Sequence, residues 1–193
     1  MLPLLVKRED MQLFQLKAYN VIIEPQALMI NEFAAIRDAN DGDDVLTLKE
    51  LSFVWFYTDV RSDFQNILDD YDRKEEVKQS ISLPEDWEPS DVVKEAIQFY
   101  REYSKTPSSG LYDASVAAAK FIEGKLKDPQ VLLDELDSKK NNKYKLDTIL
   151  KMVSQIPDVM VKLHKGREQV IKEMESKTGL KGGKKKAIFE DGI

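Results

Sequence analysis

LDTILKMVSQIPDVMVKLHKGREQVIKEM, residues 146–174, is the stretch whose period sets the fold. Its apolar positions Leu146, Ile149, Val153, Ile156, Met160 and Leu163, then Val170 and Met174, follow heptad spacing, and only Arg167 interrupts them. Such spacing keeps one stripe of a helix facing one way, and that stripe requires a neighbouring helix because it is unstable against water. Pro157 sits inside the pattern; without an amide hydrogen it predicts a kink or a split near Gln155. The pattern stops at Thr178-Gly179-Leu180, and the chain continues as Lys181-Gly182-Gly183-Lys184-Lys185-Lys186-Ala187-Ile188-Phe189-Glu190-Asp191-Gly192-Ile193. Glycines and lysines there predict a solvated hinge. Beyond the hinge, Ile188, Phe189 and Ile193 are apolar with no helix to join, as in an arm that docks on a neighbour.

Upstream of this helix the signals are also helical. Pro107 and Pro129 each follow a capping residue, Thr106 and Asp128, and predict helix starts. After Pro107, the residues Leu111, Ala114, Ala118, Phe121 and Ile122 share one face, which predicts the packing face of that helix. A short helix follows Pro129, and residues 138–145 read as a charged connection. Val93, Ala96, Ile97, Tyr100 and Tyr103 form another helical face, delivered by the loop Asp86-Trp87-Glu88-Pro89-Ser90. Ser62-Asp63-Phe64-Gln65 has capping-box form and predicts a helix with Phe64, Ile67, Leu68 and Tyr71 inward. Thr47-Leu48-Lys49-Glu50 has the same form, opening Leu51-Ser52-Phe53-Val54-Trp55-Phe56-Tyr57. That run is apolar almost all round, so it is read as a buried helix, although its aromatics also suit a strand. Residues 31–39 read as a short helix with Phe33 and Ile36 inward. The acidic run Asp38-Ala39-Asn40-Asp41-Gly42-Asp43-Asp44 misses the calcium-loop register, since glycine falls fifth and Lys49 twelfth from Asp38, and is read as a solvated turn. Before it, residues 13–19 and Val21-Ile22-Ile23 read as extended runs, either a small hairpin capping the core or an arm on a neighbour.

The chain is therefore read as mainly α: a helical bundle with a long C-terminal helix kinked near Pro157, a short extended or β N-terminal segment and an extended C-terminal tail. Its parts are an arm or hairpin over 1–30, a helical domain over 31–179 and a flexible arm over 180–193.

Composition narrows the chemistry. Among 193 residues, 42% are hydrophobic and 33% charged, a globular balance with a charged surface. The net charge of -6 disfavours a general nucleic-acid binder. No apolar run approaches the roughly 20 residues a membrane helix needs, and Met1-Leu2-Pro3-Leu4-Leu5-Val6 lacks the features of a signal peptide. With no cysteine and one histidine, His164, a zinc site would have to be completed by carboxylates, so no metal or cofactor is expected. Ser108-Ser109-Gly110 lacks a nucleophile elbow, and no phosphate-cradling glycine loop occurs. Asp59, Arg61 and Asp63 are read as a structural ion-pair and capping knot, because an arginine between carboxylates holds them ionised. No residue pattern names a catalyst, and the chain is expected not to be an enzyme. The candidate interaction residues are Leu163, Val170 and Met174 on the seam and Ile188, Phe189 and Ile193 in the tail.

Three stretches together resemble a known family. They are the aromatic block from Leu48 to Asp63 with its acidic and arginine turn, Ala96-Ile97-Gln98-Phe99-Tyr100 with the later Thr106-Pro107-Ser108 break, and the end Gly182-Gly183 with Ile188-Phe189-Glu190-Asp191. Over residues 20–193 this order looks like the small helical neck or ring proteins of tailed bacteriophages of the podovirus-like type, including crAss-like ones. The resemblance implies a structural virion protein, made in the host cytoplasm, that forms a homo-oligomeric ring and joins portal to tail. Its partners would be the portal and other neck or tail proteins, with no sequence-specific nucleic acid and no membrane. Two other roles remain open: an internal or capsid-attached virion protein, and a cytosolic helical protein-binding module.

Overall fold

The computed structural model describes residues 13–17, 20–127 and 142–177. Two short strands open it. β1 (Phe14–Lys17) and β2 (Asn20–Ile23) pair antiparallel, Phe14 opposite Ile23 and Lys17 opposite Asn20. Leu13 and Phe14 are buried, and the Phe14 ring meets Phe33 and Tyr100 edge-on at 5.4 and 5.1 Å. Over these residues the extended segment is thus a hairpin closing the core; residues 1–12, the rest of the expected arm, lie outside the described residues.

Six α-helices follow among the described residues. α1 (Asn31–Ala39) has its expected bounds and buries Phe33 and Ile36. The acidic turn after it places Asp41 and Gly42 at positive φ, 50° and 80°. There Asp43 caps α2 (Asp44–Thr58), accepting from the amides of Val45 and Leu46 at 2.9 and 3.0 Å. The helix thus begins ahead of the expected Thr47 start. An aspartate at the cap binds two free amides and complements the helix dipole, so Thr47 and Glu50 lie inside the helix as buried residues. Glu50 accepts from Asn40 Nδ2 at 2.8 Å and Trp87 Nε1 at 3.0 Å, which ties the α1–α2 turn to the later loop. The helical reading of Phe53 to Tyr57 is correct, and Leu51, Phe53, Val54 and Trp55 are all buried.

The helix expected from Ser62 is a correction. Ser62 does cap, but it caps a single 3-10 turn, Asp63–Asn66, and donates its hydroxyl to Phe56 O at 2.7 Å. The α-helix, α3 (Asp70–Ser80), starts seven residues later than Asp63 and is capped by Asp69, whose carboxylate accepts from the Tyr71 and Asp72 N–H groups. Tyr71 is consequently 67% exposed and Val77 is the buried apolar residue of the helix. α4 (Asp91–Tyr103), capped by Ser90, buries Val93, Ala96, Ile97 and Tyr100 as expected. α1, α2, α4 and the hairpin enclose one core, the head of the molecule.

α5 (Ser109–Lys127) and α6 (Asn142–Lys177) stand beside the head as an antiparallel pair. α5 begins two residues after Pro107, with Ser109 Oγ accepting from the Thr106 amide at 2.9 Å. α6 has 36 residues, starting at Asn142 inside the expected connection and running unbroken through Pro157. The split near Gln155 does not occur, although Pro157 denies Val153 O its in-helix donor. The short helix expected after Pro129 lies outside the described residues, as does the tail from Thr178 to Ile193.

Candidate interaction surface

In the α5–α6 pair, Gly166 of α6 faces Tyr112 of α5, and an added Cβ would lie 3.5 Å from the Tyr112 backbone, an ordinary contact. Val170 and Met174 then bury against Tyr112 and Val60, with Leu163, Val116 and Ile171 packed around them. The neighbour that the heptad seam requires is, over Leu163, Val170 and Met174, α5 of the same chain. Ile188, Phe189 and Ile193, the other three candidate interaction residues, lie outside the described residues.

Arg167, the interruption in the seam, is a clamp. Its Nε donates to Val60 O at 2.9 Å, Nη2 to Ser62 O at 3.0 Å and Nη1 to Asn66 Oδ1 at 2.8 Å. The guanidinium thus bonds two backbone carbonyls of the turn after α2, Ser62 O also accepting from Gln65 N–H, and it ties α6 to the head. At the far end, Glu173 accepts from Ser108 Oγ at 2.6 Å, Ser108 N at 3.0 Å and Gln169 Nε2 at 3.0 Å. These bonds, the Ser108 hydroxyl's first, favour the charged carboxylate and lower its pKa to about 2.

The face expected to pack on α5 is a correction. Tyr112 and Ala119 are buried, while Leu111 is 70% and Phe121 60% exposed, and Ala114 and Ala118 are exposed between them. Both faces have helical period. Tyr112 packs with Val170 and Met174 of α6 and with Val60, contacts the pattern of α5 alone does not reveal. α6 has an open flank as well: Leu150, Val153, Met160 and Val161 are each close to half exposed or more. Between the two helices an apolar groove is lined by Leu68, Ala119, Ile122, Ile156, Val159 and Met160. Large apolar side chains thus stay in water on both helices of the hairpin, as Leu16, Met29, Val45, Leu48 and Tyr71 do elsewhere in the molecule.

The candidate chemical groups are accounted for locally. Asp59 is fully buried. It accepts from Arg61 N and Nε at 2.8 Å, Arg61 Nη2 at 2.7 Å and Tyr100 Oη at 2.6 Å. Burial first, then the Asp59 charge, pushes the Tyr100 hydroxyl well above its ordinary range. Burial would lower the Arg61 guanidinium, but hydrogen bonds and charge from Asp59 outweigh it and raise it. Asp63, expected in this knot, is exposed and outside it. His164 is exposed on α6, 3.3 Å from Glu168. Ser108 and Ser109 serve the junction of α5 and α6. A polar cleft of about 490 Å³ separates head from hairpin, with Tyr57 between the guanidinium groups of Arg73 and Arg101 at 5.8 and 5.6 Å. Among the described residues no cluster of acidic and histidine side chains is placed to hold a metal, and no helix is long and apolar enough to cross a membrane.

No protein-family model matches the chain, and no curated protein or solved structure is significantly similar to it.

Proposed function

We propose that this chain is a structural subunit of a tailed-phage particle, a head-to-tail connector that assembles side by side into a ring between portal and tail. The observation that carries an assembly role is the open apolar flank of α6, Leu150, Val153, Met160 and Val161, on a helix whose other face is already packed. A contiguous apolar strip that the protein's own core does not use is the mark of a protein–protein contact. The choice of a phage connector, made in the host cytoplasm and carried in the virion, rests on the resemblance of residues 20–193 to the neck and ring proteins. A lateral contact between unlike faces of identical copies closes into a ring when the rotation per copy closes. In this reading α6 supplies one side of each contact. The portal and adjoining neck or tail proteins cover the ends, and the acidic body keeps passing DNA from adhering. No catalytic step is proposed: the buried Asp59 carboxylate is occupied by Arg61 and Tyr100.

The same strip would also serve an internal virion protein or a free binding module, and the test separates them. Val153→Asp with Val161→Asp places charge on the open flank without touching the groove between α5 and α6 or the packed face. The double variant is expected to fold, to keep its helical content and to fail to enter particles that take up the wild-type chain. A wild-type chain that enters no particle removes the virion reading. A double variant that enters normally removes α6 as the contact.

A further inference from the structure

Charge is divided unevenly along this chain. Residues 31–103, which make α1 to α4, carry eight lysines and arginines against nineteen carboxylates, whereas α6 carries eight against five. The acidic part has an open corner. The turn after α1 and the start of α2 expose Asp38, Asp41, Asp43 and Asp44 beside Val45 and Leu48, which are 66% and 52% exposed. Val45 and Leu48 lie three residues apart and so share the outer face of α2. The basic part has a counterpart. Over residues 150–165, the open flank of α6 sets Leu150, Val153 and Val161 next to Lys151, Lys162 and Lys165, with Asp158 the only carboxylate. We propose that these two faces meet between copies: the α6 flank of one chain seats on the acidic α2 corner of a second copy.

Three observations select that occupant. The first is unmet charge. None of the three lysines forms an ion pair among the described residues. At the corner, Asp44 alone is paired, with Arg37 at a loose 3.8 Å, and the nearby Lys49 donates to Ser82 O instead. Joining the two faces relieves the repulsion within each and adds attraction between them. The second is the choice of unlike faces. Two α6 flanks laid together would oppose lysine to lysine, and two corners aspartate to aspartate, so complementarity requires one of each. The third is position. α2 runs from the corner to Asp59, fourteen residues beyond Val45 and about 21 Å at 1.5 Å per residue. The carbonyls that hold Arg167 of α6, those of Val60 and Ser62, lie just past that far end. The corner thus stands off from the attachment of α6, and one chain offers both faces at once, as a head-to-tail contact needs.

The pairing rests on the reading of α6 as the assembly face and names what that face meets. Sedimentation equilibrium of the full chain tests it, at about 0.01 M salt, where charges act over about 30 Å. The wild-type chain is expected to associate, and about 0.5 M salt to weaken the association tenfold or more. Lys151→Glu with Lys162→Glu and Lys165→Glu should weaken it by as much, and so should Asp38→Lys with Asp44→Lys, both variants keeping their circular dichroism. An equal mixture of the two variants should associate again, because each supplies the face the other lacks. One chain carrying both sets should do the same. A wild-type chain that stays monomeric overturns the pairing. Weakening by the α6 set but not by the corner set also overturns it, and leaves α6 as the assembly face on another partner surface. Weakening by both without recovery in the mixture overturns it as well. If neither set alters association, the pairing falls together with α6 as the contact.

Discussion

Asp59 shows what a single buried carboxylate does here. It ends α2, receives three bonds from Arg61 and one from Tyr100 forty-one residues on, and so fixes the turn that Arg167 later reads. Removing one partner of a buried ion pair leaves a charge without compensation, which costs about 3–5 kcal/mol. Asp59→Ala is therefore expected to lose about that much in denaturant unfolding, whereas Asp63→Ala, on an exposed side chain, should stay within about 0.5 kcal/mol. Equal losses at the two positions would contradict the placement. The triplet was legible in the sequence as a structural knot, but its third member was misplaced. Spacing put Asp63 beside Arg61, while the real partner, Tyr100, comes from a different helix and no local pattern announces it. Gly166 makes the opposite prediction. A Cβ there would meet Tyr112 at 3.5–3.6 Å, ordinary contact distance, and alanine is the better helix former. Gly166→Ala should be neutral or raise stability by up to about 1 kcal/mol, as thermal melting would show. A clear loss would mean that the helices pack closer than described.

At the scale of elements, the head and the hairpin differ in how firmly they are held. The head closes a core of sixteen buried apolar residues, while among the described residues the buried cluster where α5 and α6 meet the head is Val60, Tyr112, Val170 and Met174. Segments with few buried contacts open more readily. The Arg167 clamp then matters more than its size suggests. Arg167→Ala is expected to speed amide exchange in α6 by tenfold or more while α2 and α4 keep their protection; uniform acceleration would contradict a local role. Glu173 adds a pH dependence. Its folded pKa of about 2 lies below the ordinary 4.5, so its contribution is complete above pH 4.5 and fades as pH falls toward 2. Acid should therefore loosen the α5–α6 junction before the head, and Glu173→Gln should flatten that dependence in an exchange experiment across pH 2–6. Helices whose apolar face was unique, α1 and α4, were legible from sequence with their buried residues. α3 and α5 were legible only as helices. Ser62 was a true cap on a 3-10 turn rather than an α-helix. In α5 the stripe Leu111, Ala114, Ala118, Phe121 and Ile122 has helical period, but so does the face of Tyr112 and Val116, and it is this one that meets Val170 and Met174.

At the scale of the molecule, a closed head carries a long hairpin whose outer faces keep Leu111, Phe121, Leu150, Val153, Met160 and Val161 in water. The heptad pattern announced a seam, of which Leu163, Val170 and Met174 are packed within the chain. It could not say that one chain would fill its C-terminal half and leave Val153 and Met160 open, because the filling depends on α5 folding back from far along the chain. The proposed assembly role rests on that division, and the proposed ring rests on the resemblance of residues 20–193 to neck and ring proteins. The most direct test is an electron cryo-microscopy reconstruction of the particle that contains this chain, refined without imposed symmetry at the portal vertex. The account predicts a closed ring of copies in which the open flank of α6 lies against the neighbouring subunit. Copies scattered within the head, or a ring in which Val153 and Met160 still face solvent, would contradict it.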